Sequence, residues 1–390
     1  MDKFEANLTR ATNPDVRDLL GAIGLVINSK GETLYHRAFG HQSLAHDAPP
    51  LDPDSAIFLA SAGKFVTHIA CLQLVERGIL GLDDSVYKFL PELEKLEILS
   101  PSADPDVKFT LSPQVRPITL RHMLTHSSGI GSCDDDLTEA WRAAVPQPDW
   151  PEGTPSIVRN LSTPLLCQPG EGWEYGHSVH WLQPLVERAS GTKRFTEYME
   201  EHVFKPLGLN HTSYVPLTQE HIRTKLLQCV RREEDGSISA CKEGELAGIA
   251  SSITDVKKML LDLLGTESKL LSKDSVDLLF SPAFEAGSAG LTKILHDEET
   301  FAKTIGLGAE GKRAAVNFTA AGSLVTEGVV PESNLPAGTL TWNGWPNLIW
   351  TINREKGIAT LFATQLVPVD DEKVLVHMVD FLKSAWSTFG

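Results

Sequence analysis

Ser61 and Lys64 stand three residues apart at the start of an apolar run, Phe58-Leu59-Ala60-Ser61-Ala62-Gly63-Lys64-Phe65-Val66-Thr67-His68-Ile69. Residues at that spacing share one face of a helix, so the hydroxyl and the amine can touch. A serine hydroxyl becomes a useful nucleophile when a base takes its proton. Lysine serves as that base where apolar surroundings favour its neutral form, and Phe58, Leu59, Phe65, Val66 and Ile69 can supply them. The free N–H groups of a first helical turn also favour developing negative charge. The tetrad alone is a weak signal, because the same spacing recurs at Ser85 and Lys88, Ser190 and Lys193, and Ser239 and Lys242. Only Ser61 joins a short strand-like approach to an apolar helix. The alternative for Ser61 is an ordinary helix-capping serine.

Two further stretches can complete an acyl-transfer site. Tyr175 lies in Gly172-Trp173-Glu174-Tyr175-Gly176-His177-Ser178, just before a helix. Its phenol can relay the Ser61 proton if it reaches Lys64; otherwise it is a half-buried tyrosine with its hydroxyl in water. Trp342-Asn343-Gly344-Trp345 lies on a predicted strand near the C-terminus. A tetrahedral oxyanion needs two N–H donors. Ser61 offers its own, and a strand edge opened by Gly344 can offer that of Trp345. The alternative is a tryptophan-rich core strand. His122 and His126 are four apart, but no Glu follows His122 as a metalloprotease helix requires, so they read as structural histidines and no metal is expected.

The elements that position these residues follow from periodicity and turn signals. A polar helix is expected over residues 2–20 and a hairpin over 24–35, turning at Ser29-Lys30-Gly31. The helix carrying Lys64 runs to Glu76 and stops at Gly78. Short helices are expected near 83–91 and 118–129, then over 179–189, 195–203, 249–265 and 273–280. Residues 99–117 read as a loop or strand pair, 133–172 as irregular, and 215–243 as including an exposed hairpin. Strands are expected at 304–308, 314–320, 340–342, 347–353 and 357–365, with a closing helix over 370–388. This predicts an α+β fold: an antiparallel sheet built from both termini and flanked by helices, plus a largely helical insert. The expected boundaries are 1–65 with 246–390 for the discontinuous sheet domain, and 66–245 for the helical one.

The chain has 390 residues and a formal net charge of −16, which argues against a nucleic-acid or anionic-membrane partner. No apolar run has transmembrane length, and the N-terminal residues lack a signal-peptide core. Cys71, Cys133, Cys167, Cys229 and Cys241 are odd in number and unpatterned; free thiols in a reducing compartment fit best. The expected location is cytoplasmic, without membrane insertion.

The ordered set Ser61-x-x-Lys64, Tyr175 and a Trp-x-Gly strand at Trp342 to Gly344 resembles the three motifs of the serine β-lactamase and penicillin-binding-protein superfamily, class C-like. The spacers at 122–129, 248–255 and 347–365 resemble it too. Two features depart from the β-lactamase pattern. The second motif is Tyr175-Gly176-His177 rather than Tyr-x-Asn. The third is Trp342-Asn343-Gly344 rather than Lys-Thr-Gly, so the strand lacks the cation that helps hold a β-lactam carboxylate. The Trp-x-Gly form is similar to the esterase and acyltransferase branch, and Ala60 to Lys64 together with Trp342 to Trp350 looks most like the fungal lovastatin-type acyltransferases.

That resemblance implies the β-lactamase-like fold and a transesterase. An acyl group would move from a thioester, on CoA or an acyl carrier protein, to a hydroxyl of a secondary metabolite. Ser61 would be the nucleophile, Lys64 and Tyr175 a shared base, and the N–H groups of Ser61 and Trp345 the oxyanion hole. Trp342, Gly344, Trp173 and His177 would contact the small-molecule substrates. No cofactor or metal is implied. The alternatives are a carboxylesterase on the same fold, a β-lactamase or peptidase, and a non-catalytic binding member. An α/β-hydrolase is disfavoured because the nearest approach to its Gly-x-Ser-x-Gly elbow, Ala286 to Gly290, follows Pro282 and Glu285 where a strand is needed.

Overall fold

The computed structural model of the chain describes residues 1–146, 149–242, 244–296, 304–305 and 314–390. Its frame is a seven-stranded sheet with the spatial order Ala314–Phe318, Ser323–Gly328, Thr339–Gly344, Leu348–Asn353, Ile358–Ala363, Gly21–Asn28 and Thr33–Gly40. Every neighbouring pair is antiparallel. The N-terminal hairpin therefore completes a sheet begun by the C-terminal third, joined where Gly24 faces Phe362. The strands Leu348–Asn353 and Ile358–Ala363 are buried along their whole length, as sheets covered on both faces require.

The terminal helices Asp2–Ala11 and Glu372–Phe389 pack together against this sheet. Phe4, Phe362 and Phe381 form the contact, with Phe4 and Phe381 ring centroids 5.5 Å apart. The first helix is shorter than its polar pattern predicts. It ends at Ala11, and Pro14 disfavours helical backbone at Asn13. The helix Ile253–Leu264 also packs on the sheet, against its central strands.

The middle of the chain is mostly helical and carries the long helices Lys64–Glu76 and Ser178–Ser190, which pack on each other. A small sheet, Ala56–Phe58 with Ala250–Ser252 and Thr212–Ser213, delivers the chain to Ser61. Residues 99–117 contain the paired strands Ile98–Pro101 and Phe109–Ser112. The irregular region 133–172 contains the helices Asp136–Ala144 and Ser156–Leu161. The strand Ser323–Gly328 was not expected; glycines bound it, and only Ser323 and Leu324 pair with Thr341 and Leu340. The expected strand at 304–308 lies, beyond Thr304 and Ile305, outside the described residues.

One expectation about the cysteines is corrected. Cys229 and Cys241 form a disulfide, with Cα atoms 5.4 Å apart, across the hairpin of Val230–Arg232 and Ile238–Ala240. The antiparallel register brings them face to face: the Cys241 N–H donates to the Cys229 carbonyl at 3.0 Å. Cys71, Cys133 and Cys167 are free.

Candidate active site

Ser61 sits in a 3₁₀ turn, Ala60–Gly63, that runs directly into the helix Lys64–Glu76. Ala60 holds φ at +47°, a left-handed backbone that a residue with a Cβ adopts only under constraint. Packing supplies that constraint. The Leu59 N–H bonds the Ile249 carbonyl, and the Trp350 indole Nε1 donates to the Ala62 carbonyl at 2.8 Å. The turn is thus fastened to the core strand Leu348–Asn353, and Ser61 is held on a rigid support.

Lys64 Nζ lies 2.6 Å from Ser61 Oγ and 2.9 Å from the Tyr175 hydroxyl. The side chains expected at the centre of the site are therefore within proton-transfer reach of one another. The ammonium also lies 4.7 Å from the centroid of the Tyr175 ring. Tyr175 is delivered by the turn that precedes the helix Ser178–Ser190. Gly176 allows this turn to pass close by, because a Cβ there would lie 2.1 Å from the Gly131 carbonyl carbon. The His126 ring lies tilted against Tyr175, centroids 4.5 Å apart, and its Nδ1 accepts from the Gly176 N–H at 3.4 Å.

The third stretch occupies a different place from the one expected for a pocket wall. Trp342 is buried and its indole Nε1 donates to the Tyr175 hydroxyl at 2.9 Å. The phenol oxygen thus faces two N–H donors, Lys64 and Trp342. Trp173 is likewise buried behind Tyr175, ring centroids 6.0 Å apart, where it braces the phenol through Phe318 and the Trp342 ring. Both tryptophans were expected to line a substrate pocket; their apolar surfaces go instead into this aromatic cage. Gly344 ends the strand against the serine turn: a Cβ there would lie 2.4 Å from the Leu59 carbonyl oxygen. Trp345 follows at the surface, 46 % exposed. The close approach at Gly344 brings the backbone after it beside the turn that carries Ser61.

Two buried histidines lie near Lys64. His68, one helical turn after Lys64, donates from Nδ1 to the Ala320 carbonyl at 2.6 Å. Burial lowers its pKa to about 4, and burial also holds His126 well below its ordinary value. Both are neutral at physiological pH and add no charge beside Lys64. His122 bonds the Thr119 N–H and closes a capping box. Among the described residues no group of His, Cys, Asp and Glu is arranged to hold a metal.

A cavity of about 250 Å³ opens beside Ser61 and Lys64. Its other walls come from the helix Ser178–Ser190, through Val179, His180 and Gln183, and from Thr67, Tyr214 and residues 247–249. His177 stands behind this wall, its Nδ1 3.1 Å from His180 Nδ1. His180 and Gln183 were not singled out from the sequence. Their signal is spacing: His177, His180 and Gln183 recur every third residue on an otherwise apolar helix that follows Tyr175.

A profile of the β-lactamase family matches residues 16–380. The chain belongs to the β-lactamase family. It is 30 % identical to an acyltransferase of Penicillium decumbens over 92 % of this chain and 87 % of that one. It is 31 % identical to the lovastatin esterase of Penicillium rubens over 92 % of each. Unliganded simvastatin synthase from Aspergillus terreus superposes with a TM-score of 0.86 at 27 % identity, covering 100 % of this chain and 99 % of that one. The chain is accordingly an enzyme of the acyltransferase type on the serine β-lactamase fold. Trp342, in the Trp-x-Gly stretch that resembles the family's third motif, presents a neutral N–H to Tyr175.

Proposed function

We propose that this enzyme transfers an acyl group from a thioester to a hydroxyl of a small secondary metabolite through an ester on Ser61. The contact set Ser61 Oγ, Lys64 Nζ, Tyr175 hydroxyl and Trp342 Nε1, each link 2.9 Å or shorter, carries this reading. Ser61 Oγ attacks the thioester carbonyl, and its proton passes to the Lys64–Tyr175 pair. The N–H groups of Ser61 and Trp345 hold the oxyanion. The tetrahedral adduct collapses, the carbon–sulfur bond breaks, and the departing thiolate takes the proton. The same pair then deprotonates the acceptor hydroxyl. Its oxygen attacks the ester carbon, and Ser61 Oγ leaves with the returned proton. Negative charge that develops on the phenol oxygen during either transfer meets two N–H donors, a pre-arranged electrostatic stabilisation.

No cofactor is needed for these steps. The donor carrier is CoA or an acyl carrier protein; the Cys229–Cys241 bond weighs against the reducing cytoplasm expected from the sequence, because such bonds persist in oxidising compartments. No helix among the described residues is long and apolar enough to cross a membrane. The 31 % identity to an esterase supports a second reading, in which water replaces the alcohol in deacylation.

Intact-protein mass after incubation with a panel of acyl thioesters, beside Ser61→Ala, tests both. An adduct on the wild type alone that persists in water and is discharged by an alcohol is expected. Rapid discharge by water alone would favour the esterase, and labelling of Ser61→Ala at the wild-type rate would overturn the assignment of the nucleophile.

A further inference from the structure

The cavity beside Ser61 carries polar groups that have hydrogen-bonding capacity left over among the described residues. Among the described residues the His180 ring has one hydrogen-bond partner, the Nδ1–Nδ1 contact of 3.1 Å with His177. Of two facing Nδ1 atoms, one must carry the proton and the other a lone pair. Burial keeps both rings neutral, His180 with a pKa of about 4. The contact commits Nδ1 of His180 and leaves its Nε2 for the cavity that Ser61 shares.

One helical turn further on, Gln183 lines the same cavity, and its amide has no protein partner among the described residues. Both side chains are partly exposed, so a ligand that fills this cavity strips their water and must supply matching groups.

The direction of the cavity identifies which part of the substrate it holds. A tetrahedral centre on Ser61 has three substituents besides Oγ. The oxyanion turns to the strand end at Gly344 and Trp345. The leaving or attacking atom must face the Lys64–Tyr175 pair, which moves its proton. Of the proton-moving pair, Lys64 reaches the cavity wall and Tyr175 does not, nor do Trp342 and Trp345; the rest of the wall is the serine turn, Thr67, Tyr214, the helix Ser178–Ser190 and residues 247–249, so the leaving or attacking atom is placed on the Tyr175 side of the pair. The third substituent, the acyl chain, is left with the cavity. At about 250 Å³ the cavity lies below the roughly 300–1,000 Å³ of small-molecule sites, which suits a short chain.

We propose that the cavity is an acyl pocket for a short hydroxyacyl group, whose hydroxyl, able both to donate and to accept, bonds His180 Nε2 and the Gln183 amide. His180 is then a specificity-determining residue and His177 the residue that positions it. This rests on the Ser61 acyl-enzyme of the proposed function and concerns only acylation, which precedes the choice between alcohol and water.

The test compares butanoyl and 3-hydroxybutanoyl groups presented as N-acetylcysteamine thioesters and as p-nitrophenyl esters, with the rate of Ser61 labelling read by mass. The wild type is expected to favour 3-hydroxybutanoyl about tenfold, the worth of one or two neutral hydrogen bonds. His180→Leu should bring the ratio to about one or below, and His180→Gln, which restores a hydrogen-bonding group, should recover part of it. A wild-type preference for butanoyl, or a ratio unchanged in His180→Leu, would overturn the proposal. Labelling that is equally fast in Ser61→Ala would instead overturn the acyl-enzyme itself. A Ser61-dependent label with no hydroxyl preference leaves the acyl-enzyme standing and removes only the pocket assignment.

Discussion

Replacing Trp342 by phenylalanine isolates one hydrogen bond of the site. The indole Nε1 donates to the Tyr175 hydroxyl at 2.9 Å, and the ring is 5 % exposed. Phenylalanine keeps an aromatic ring between Tyr175 and Phe318, each 5.1 Å from Trp342 by centroid, but removes the donor. Water has little access to replace it. In the resting enzyme the lost bond is a neutral one, worth about 1 kcal/mol. In the transition state the phenol oxygen carries developing charge, and a bond to a charged group is worth about 1.5–3 kcal/mol. Only the part gained between the two states slows the reaction. At 1.36 kcal/mol per decade, the expected loss is roughly tenfold in the acylation rate, with a small change in KM.

Single-turnover acylation by a chromogenic ester measures this directly. The decisive control is the double-mutant cycle with Tyr175→Phe. Trp342→Phe should slow the wild type about tenfold and have almost no further effect once the phenol oxygen is gone. A full tenfold effect in the Tyr175→Phe background would refute the reasoning, because the indole would then act through something other than that oxygen. A loss under twofold in the wild-type background would refute it equally.

Gly344→Ala should reduce kcat about 100-fold or more, because its Cβ would meet the Leu59 carbonyl 2.4 Å away and push the strand from the serine turn; wild-type turnover in this variant would show that the strand end contributes no oxyanion donor. Stability should fall on acidification through the buried histidines. His68 titrates near pH 4 when folded and near 6.5 when unfolded, so between those values the unfolded chain binds the extra proton and unfolding is favoured as pH drops. The contribution is fully present above pH 6.5 and is lost toward pH 4, about 3 kcal/mol for this group; a flat denaturant midpoint from pH 7 to 4.5 would contradict it. Thiol titration of the denatured, unreduced protein should find three thiols, Cys71, Cys133 and Cys167, out of five cysteines; five would mean that Cys229 and Cys241 are reduced.

Ser61 and Lys64 were legible because their contact is local: a spacing of three on a helical turn determines it. Tyr175 is 111 residues from Lys64, and only its glycine-flanked turn and the ordered resemblance of the whole chain pointed to it. The orientation of Trp342 could not be read at all. Alternation places its side chain on one face of a strand, but whether the indole meets substrate or the phenol depends on how the helical region docks on the sheet. Trp173 was misjudged for the same reason. The cysteine pair shows a different limit. Its spacing matches no motif, and the bond follows from a hairpin register that places Cys229 and Cys241 opposite each other. His180 left a usable trace, a polar residue one turn after His177 on an apolar helix, yet its meaning depends on the cavity in front of it.

The distribution of charge around the cavity restricts the donor further. Among the residues that line it, Lys64 is the one with a formally charged side chain, and Trp342, in the stretch that resembles the family's third motif, is a neutral donor. An acyl chain ending in a carboxylate would therefore find one cation, and it is the one that must stay on Ser61 and Tyr175. An ammonium and a carboxylate about 4 Å apart attract by roughly 4 kcal/mol at an effective dielectric constant of 20, enough to draw Lys64 away from contacts of 2.6 and 2.9 Å. A succinyl thioester should thus acylate Ser61 at least tenfold more slowly than a butanoyl thioester of similar length, while competing with it for the site. Raising the salt concentration should relieve the competition more than it changes butanoyl transfer, because the carboxylate is attracted by charge and the butanoyl chain is not. Equal acylation rates for the two donors would mean that a second cation serves the pocket, and the neutral character inferred for the acyl group would have to be abandoned.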